Sequence, residues 1–273
     1  MRNDTLLRRV SEQLVNRHEQ LSPVQVSHSV YGLCKFHFNE DEGKTLGMLT
    51  GEARRRMWEY SMDDLAQILS SLSRVRVKNQ GFVTRLVERI TPEQLETCTS
   101  RSVVNLMTGL SRNGVRSTRR ADPWSVLADE LTLRVEHESS LSVDDKLAAL
   151  IAYAYPHVGH AHEGLFSSVS KSLASTLSRE QIFRYVKACA RVQHRDVTVL
   201  ALCASCLRSD PALLSGLPSS DLVELYSGLD KLGAEMKDLT ALLENRGVSL
   251  PTVVKPTWFR QPRPVTKRRQ KTT

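Results

Sequence analysis

The sequence predicts an all-α fold, an α-solenoid of about six helix-turn-helix repeats that ends in a basic C-terminal tail. One apolar pattern with helical spacing recurs along residues 1–247, as it does in repeat architectures. Aromatic residues make up only 5% of the chain, and runs typical of strands are almost absent. After Gly247 the composition changes to a proline-rich segment without acidic residues, which predicts a tail.

Each copy of the pattern begins with a short polar residue or a proline. The clearest copies are YSMDDLAQILSSLSRV, from Tyr60 to Val75, and LSREQIFRYVKACARV, from Leu177 to Val192. In both, apolar residues follow the serine by four, seven, eight, eleven and fourteen positions, which is helical spacing. The serine suits an N-cap, because its hydroxyl can accept a hydrogen bond from an unpaired N–H of the first turn. The pattern therefore predicts a capped amphipathic helix.

Six such helices are predicted, and in chain order they start at Ser22, Ser61, Thr99, Ser142, Ser178 and Pro218. Their expected apolar positions are Val26, Val30, Leu33 and Phe36; Leu65, Ile68, Leu69, Leu72 and Val75; Val103, Leu106, Met107 and Leu110; Ile182, Tyr185, Val186, Cys189 and Val192; and Leu222, Leu225, Tyr226, Leu229 and Leu232. The fourth copy, SVDDKLAALIAYAY, fits with a shift of about one residue. Successive starts lie 39, 38, 43, 36 and 40 residues apart, so each step holds one supersecondary unit.

Each step has room for a second helix of about a dozen residues. Second apolar patterns occur at Phe82, Val83, Leu86, Val87 and Ile90; Trp124, Leu127 and Leu131; Leu165, Phe166, Val169 and Leu173; and Leu239, Leu242 and Leu243. An opening segment is interpreted as the closing helix of an incomplete unit, with apolar residues Leu6, Leu7, Val10, Leu14 and Val15. Residues 1–247 are therefore expected to form one body, a right-handed stack of hairpins in which each unit packs on its neighbours.

The tail, residues 248–273, carries most of the net charge. The chain has 38 basic and 30 acidic residues, which gives +8. The tail holds seven basic residues and no acidic one, so the body alone has a charge of only +1. A broad basic surface on the body would therefore require its charges to be segregated.

Candidate RNA-binding residues lie in the tail and in the loop SRNGVRSTRRADP, whose guanidinium groups could reach phosphates. They are Arg112, Arg116, Arg119, Arg120, Trp258, Phe259, Arg260, Arg263, Lys267, Arg268 and Arg269. Arg54–Arg56 and the group Arg74, Arg76 and Lys78 are further basic clusters. The alternative for each cluster is a solvated helix end or soluble loop, and the tail could equally be a disordered terminus or a nuclear-import-like signal.

No catalytic, cofactor or metal site is predicted. Gly43, Lys44 and Thr45 imitate the end of a phosphate-binding loop, but Phe38 stands where its first glycine is needed. Cys203 and Cys206 form a CxxC pair within an apolar run, where cysteines are usually core residues. The three histidines of one loop are interpreted as a surface turn; they are His157, His160 and His162. The first-turn acidic pairs are interpreted as favouring the helix dipole; they are Asp63 with Asp64 and Asp144 with Asp145.

Cellular location is bounded by cysteine usage and apolar runs. Five cysteines without paired spacing fit a reducing compartment. The longest apolar runs are too short to span a bilayer and no secretory segment follows Met1, so a soluble protein without membrane contact is expected. Residues 1–18 are amphipathic and arginine-rich, as a mitochondrial targeting peptide would be, although they could equally form a capping helix.

The segments LSPVQVSHSVYGLCKF, YSMDDLAQILSSLSRV and LSREQIFRYVKACARV resemble degenerate helical repeats of organellar RNA-metabolism proteins. These are the octotricopeptide-like and heptatricopeptide-like repeats and the repeat regions that precede RAP domains; no RAP-like module is recognisable here. The variable steps differ from pentatricopeptide repeats, whereas HEAT or armadillo scaffolds would show a similar period. The resemblance implies an α-solenoid, mitochondrial or plastid location and RNA as a partner.

Two functions remain open at this point. The first is a non-catalytic, RNA-associated subunit of a mitochondrial ribonucleoprotein assembly, with other protein subunits as partners. The second is a protein scaffold without direct RNA contact. A mitochondrial location is expected, and the cytoplasm or the nucleus is the alternative. The residues before the first apolar position vary from repeat to repeat, and they are Gln25, Asp64, Ser102, Gln181 and Asp221. This variation favours sequence-nonspecific contact or a scaffold over a reader of one base per repeat.

Overall fold

The computed structural model describes residues 3–38, 43–117, 122–138, 141–173, 177–197, 200–201 and 218–233. In these residues the protein is all-α, and no strand occurs among them. Twelve α-helices have both ends in the described part: α1 Asp4–Arg17, α2 Pro23–Lys35, α3 Lys44–Arg55, α4 Met62–Arg74, α5 Gln80–Val87, α6 Pro92–Glu96, α7 Ser100–Arg112, α8 Pro123–His137, α9 Val143–Ala154, α10 Glu163–Ser172, α11 Arg179–Val192 and α12 Ser219–Lys231. Short 3-10 turns follow α1 and α3.

All six predicted helix starts are confirmed as N-caps, of α2, α4, α7, α9, α11 and α12. The Ser61 hydroxyl accepts a hydrogen bond from the Asp64 N–H at 3.1 Å. Ser22 and Ser178 form complete capping boxes, in which the glutamine three residues later bonds back to the cap N–H. Pro218 makes no side-chain cap bond, since it has no polar side chain.

The predicted apolar faces are buried, with one clear exception. Leu65, Val103 and Leu222 at the first apolar position are all 0% exposed. Phe36 was expected in the core but is 45% exposed, because α2 ends at Lys35 and the left-handed turn at His37 buries Phe38 instead. The expected shift of the fourth repeat is wrong, because α9 buries the same positions after its N-cap as α4 does, with Lys146 in place of the first apolar residue.

The second helices are confirmed in part. α8 and α10 bury Trp124, Leu127, Leu165 and Phe166 as expected. α5 is shorter than expected, with only eight residues, so Ile90 lies beyond its end. α3 and α6 were not predicted as helices. In α1 the expected core positions Leu6 and Val10 are exposed, while Leu239, Leu242 and Leu243 lie outside the described residues.

The six capped helices pack on each other in sequence, and we call them the first-helix row: α2 on α4, α4 on α7, α7 on α9, α9 on α11, and α11 on α12. The second helices contact each other alongside, α1 with α3, α3 with α5, α6 with α8, and α8 with α10. Each helix of the row therefore meets its counterparts in the neighbouring repeats.

Small residues keep the first-helix row tightly packed. The residue ten positions after each N-cap is glycine, serine or alanine: Gly32, Ser71, Gly109, Ala152, Ala188 and Gly228. A Cβ on Gly109 would lie 2.5 Å from the Leu69 side chain, and one on Gly228 would lie 3.0 Å from Val186. Leu69 and Val186 both stand eight residues after their own N-caps, so the two interfaces have the same register.

A buried arginine of α8 binds α6 and the segment between α6 and α7. The Arg134 guanidinium donates to the carbonyl oxygens of Leu95 at 2.7 Å and Cys98 at 2.6 Å. Its Nε donates to Glu130 at 2.6 Å, so the charge of this 8%-exposed residue is paired. Among the described residues, no helix combines the length and apolar character needed to cross a bilayer.

Candidate functional site

The helices of the first-helix row end in the same way. In five of the six repeats the residue fifteen positions after the N-cap has a positive φ; the five are His37, Arg76, Gly114, Gln193 and Gly233. In four of these five, the next N–H bonds back to the carbonyl five residues earlier, as Val77 does to Leu72 at 3.0 Å and Val115 to Leu110 at 3.1 Å. This left-handed ending satisfies carbonyl oxygens that would otherwise lack a donor.

Basic residues occupy the last turn before these endings. The residues thirteen positions after the N-caps form what we call the C-terminal edge: Lys35, Arg74, Arg112, Tyr155, Arg191 and Lys231. Five of these six are cations. A cation in the last turn favours the helix dipole, so this position is consistent with a structural role as well as with ligand binding.

The ends of α4 and α7 enclose a basic pocket of about 530 Å³. It is lined by Ser73, Arg74, Arg76, Val77, Lys78, Arg112 and Asn113. Four of these seven residues are cationic and none is acidic. All four cations are exposed and, among the described residues, they form no ion pair. The pocket therefore presents unneutralised guanidinium and ammonium groups to an anion.

A second pocket, which we call the aromatic pocket, adjoins the first and has a volume of about 510 Å³. It is lined by Thr108, Ser111, Arg112, Ala148, Ile151, Ala152, Tyr155 and Arg184. Arg112 is shared by the two pockets. The Arg191 guanidinium lies 4.3 Å from the centre of the Tyr155 ring, yet Tyr155 remains 51% exposed. An aromatic ring thus occupies the C-terminal edge between two arginines.

Backbone contacts fix the position of Arg191 beside this ring. Its Nε donates to the Ala154 carbonyl at 3.0 Å, and its Nη2 donates to the Tyr155 carbonyl at 3.2 Å. Burial lowers the pKa of Arg191, but a guanidinium remains charged at neutral pH. Burial also raises the pKa of the Cys34 thiol to about 11 against the opposing effect of Arg74, so this cysteine is protonated at neutral pH.

The structure places the predicted RNA-binding residues differently from one another. Arg112 lines both pockets, whereas the exposed Arg116 lines neither. Arg119, Arg120 and the tail residues Trp258, Phe259, Arg260, Arg263, Lys267, Arg268 and Arg269 lie outside the described residues.

Folding joins two basic clusters that are separate in the sequence. Arg74, Arg76 and Lys78 end one repeat, Arg112 ends the next, and all four line the basic pocket. Each cluster includes a basic residue thirteen positions after an N-cap, Arg74 in one and Arg112 in the other. The apolar pattern does not use this position. By contrast, two members of the Arg54–Arg56 cluster are paired with a carboxylate, since Arg55 and Arg56 lie 2.6 and 3.2 Å from Glu52.

Within the described residues, the candidates for a phosphate-binding loop or a metal site have structural roles. Gly43 is the N-cap of α3, and the Thr45 hydroxyl lies 2.6 Å from that of Ser11. His157 is not a simple surface residue, because its ring stacks on Tyr153 with centroids 4.2 Å apart. His162 caps α10. Within the described part no group of three potential metal ligands comes together, and Cys203 and Cys206 lie outside it.

Comparison with known proteins adds no family to this description. No protein-family model matches the sequence, and no curated protein matches it significantly.

Proposed function

We propose that this protein is a non-catalytic RNA-binding α-solenoid that acts in a mitochondrial ribonucleoprotein assembly concerned with RNA processing, editing or the ribosome. The observation that carries the proposal is the basic pocket, in which four cations from two repeats converge without a carboxylate. Arginine is well suited to phosphate, because its planar guanidinium can donate two parallel hydrogen bonds.

The solenoid part of the proposal is supported by the successive contacts of the first-helix row. It is also supported by the repeated small residue at Gly109 and Gly228, which packs on the same position of the preceding repeat. A stack of this kind provides an extended surface in place of a single deep cavity. Such a surface suits a linear polymer.

RNA is favoured over a simple anion by the aromatic pocket. An exposed tyrosine beside arginines offers a ring for base stacking next to cations for phosphate, the combination used in single-strand binding. The polar residues three positions after the N-caps differ between repeats, as Gln25, Asp64 and Ser102 illustrate. We therefore propose contacts that do not depend on base sequence.

The tail is proposed to add to this binding through its seven cations. Replacing Arg260, Arg263, Lys267, Arg268 and Arg269 by glutamine in the full chain should weaken RNA binding and flatten its salt dependence. The measurement is fluorescence anisotropy with labelled single-stranded RNA over a salt series. Unchanged affinity and slope would assign RNA binding to the body alone.

RNA binding itself is tested by the unmodified full chain in the same assay. We expect binding at low salt that weakens linearly on a log–log plot. No binding at low salt would contradict the proposal. Mitochondrial location is tested separately by imaging the tagged full chain, with residues 1–18 present or removed; cytosolic signal from both forms would contradict it.

A protein scaffold is the second candidate function. Trp58 is 65% exposed and Phe36 is 45% exposed, and exposed aromatic residues are enriched at protein interfaces. If Trp58→Ala releases partner proteins while RNA affinity is unchanged, the solenoid also acts as a scaffold. Co-purification of partners with each form measures this.

A further inference from the structure

The C-terminal edge extends through consecutive repeats. Arg74 and Arg112 line one pocket, Arg112 and Tyr155 line the next, and Arg191 lies over Tyr155. Since each step passes from one helix of the first-helix row to the next, neighbouring members are separated by about one helix spacing, roughly 8–10 Å. The structure thus presents a linear series of cations interrupted by one aromatic ring.

One residue of the basic pocket has an unfavourable backbone conformation. Arg76 has φ 60°, in the left-handed region, at a position where α7 and α12 are followed by Gly114 and Gly233. Glycine adopts this conformation without the steric cost of a Cβ, which is roughly 1–2 kcal/mol for other residues. His37 and Gln193 share this conformation, and the Val77 N–H donates to the Leu72 carbonyl at 3.0 Å, so the left-handed residue belongs to the helix ending. At Arg76 this ending places a guanidinium among the residues that line the basic pocket.

We propose that the C-terminal edge is a track for the backbone of single-stranded RNA, with one phosphate in the basic pocket and the adjoining base stacked on Tyr155 in the aromatic pocket. This inference rests on the proposed function and specifies its site. Arg74, Arg76, Lys78 and Arg112 bind the phosphate, and Arg112 spans the step between phosphate and base.

The charges and the exposed ring of the aromatic pocket favour single-stranded RNA over an acidic peptide as the occupant. Arg184 also lines the aromatic pocket but is paired with Asp144 at 2.9 Å, whereas Arg112 forms no ion pair among the described residues. Arg191 covers part of the Tyr155 ring, while the exposed half of the residue lines the pocket. A nucleic-acid base can stack on the exposed surface of the Tyr155 ring, whereas the carboxylates of an acidic peptide would leave this surface uncovered.

The first experiment compares the full-length protein with the double variant Arg74→Gln/Arg112→Gln. The probe is a fluorescein-labelled 20-nucleotide oligouridylate, and affinity is measured by anisotropy between 50 and 500 mM salt. Each phosphate contact contributes about 0.7 to the log–log slope, so the slope should fall by about 1.4. At 0.1 M salt, relative to 1 M, this corresponds to a loss of about 25-fold in affinity.

The matched control is Arg101→Gln, which removes the same charge from the opposite end of α7. Arg101 pairs with Asp145 and is outside both pockets, so the affinity should stay within twofold of the wild-type value and the slope should be unchanged. Lys78→Gln provides a second variant, with an exposed side chain in the basic pocket and an expected slope change of about 0.7. Circular dichroism confirms that each variant is folded.

Tyr155 is tested with two RNAs. Tyr155→Ala should weaken oligouridylate binding roughly tenfold and leave an abasic strand of equal length unaffected, whereas Tyr155→Phe should retain both affinities. Equal losses for the two strands would overturn the base-stacking part of the proposal. Poly-glutamate is the competing polyanion, and equal sensitivity of poly-glutamate and RNA binding to these variants would assign the edge to an acidic protein.

The outcomes separate the two proposals. If the wild-type chain does not bind oligouridylate, the proposed function fails and the track fails with it. If the wild-type chain binds but the double variant matches Arg101→Gln, the track is overturned while RNA binding by another surface stands.

Discussion

The two ends of the first-helix row differ in how their charges are used. At the N-terminal ends, carboxylates are engaged by neighbouring repeats: Asp144 pairs with Arg184, Asp145 with Arg101, and Asp63 accepts hydrogen bonds from Thr99. At the C-terminal edge, Arg74 and Arg112 have no carboxylate partner among the described residues. Carboxylates at the first end join repeats, while Arg74 and Arg112 at the second end remain exposed.

Both ends satisfy the helix dipole, since negative charge lies at the N-termini and positive charge at the C-termini. The dipole therefore cannot be what distinguishes them. The difference lies in the partners. Carboxylates at the N-terminal ends bind groups of the neighbouring repeat, whereas at the C-terminal edge Arg191 donates to carbonyls of the preceding repeat and Arg74 and Arg112 form no ion pair among the described residues. We expect substitutions at the N-terminal end to change stability and substitutions at the C-terminal edge to change binding.

The largest change in stability is expected at Gly109, where α7 packs closely on α4. Gly109→Ala should lower the free energy of unfolding by about 2 kcal/mol, because its Cβ would meet the Leu69 side chain at 2.5 Å. Gly32→Ala is the matched control, since Gly32 has the same repeat position with nothing within 4 Å of a new Cβ. It should gain about 0.5–1 kcal/mol from helix propensity. Urea denaturation measures the free energy of unfolding of both variants. Equal changes for the two would contradict the close approach of α7 to α4 at Gly109.

A smaller change in stability should distinguish the N-terminal ends of the first-helix row from the C-terminal edge. Ser178→Ala removes an N-cap and its capping box from α11, so it should cost about 1 kcal/mol of stability and leave RNA affinity unchanged. Arg112→Gln should cost about 0.5 kcal/mol or less, because its side chain is exposed, while RNA binding weakens. If Arg112→Gln instead proved the more destabilising of the two, the C-terminal edge would have a structural role.

The pH dependence of stability should distinguish the ends as well. Burial acts to raise the pKa of Asp63, but hydrogen bonds from Ser102 and Thr99 outweigh it and lower that pKa below its usual value. Its contribution is therefore present above the unfolded value of about 3.9 and is lost as the pH falls through the folded pKa. Thermal melting should show that Asp63→Asn is less stable than wild type at pH 6, with the difference shrinking below about pH 4. The difference for Arg74→Gln should stay constant over this range.

The smallest change in stability is expected at Arg76. Arg76→Gly removes the left-handed strain but increases the entropy of the unfolded chain, so stability should rise by only about 0.5 kcal/mol. RNA affinity should nevertheless fall about fivefold at 0.1 M salt. One phosphate contact contributes about 0.7 to the log–log slope, and 0.1 M lies one decade below 1 M salt. Unfolding and anisotropy measurements on one preparation test this opposition. A variant with both higher stability and full affinity would remove Arg76 from the site.

Much of the helical architecture could be predicted from the sequence because its signals are local. An N-cap and the apolar positions that follow it lie within one helix, so Ser61 and Leu65 identify α4 without knowledge of its neighbours. The sequence failed where the chain direction changes. Phe36 continues the apolar pattern of α2, but the left-handed turn at His37 directs Phe38 into the core instead.

The candidate site was predicted only in part, for a related reason. Arg112 was identified within a basic loop, but its partners Arg74 and Lys78 stand more than thirty residues earlier in another cluster. Their meeting depends on the register of α4 against α7, which Gly109 sets by allowing close approach. Charge composition gave no warning, since residues 1–247 are almost neutral as a whole.

The sequence alone therefore determined the all-α class, the six helix starts and most of the buried faces, because hydrogen bonding and burial within a helix follow local spacing. The tertiary structure decided which charges pair and which remain open to a ligand. That outcome depends on distances between repeats, where Asp144 reaches Arg184 at one end of the row while Arg74 and Arg112 share a pocket at the other.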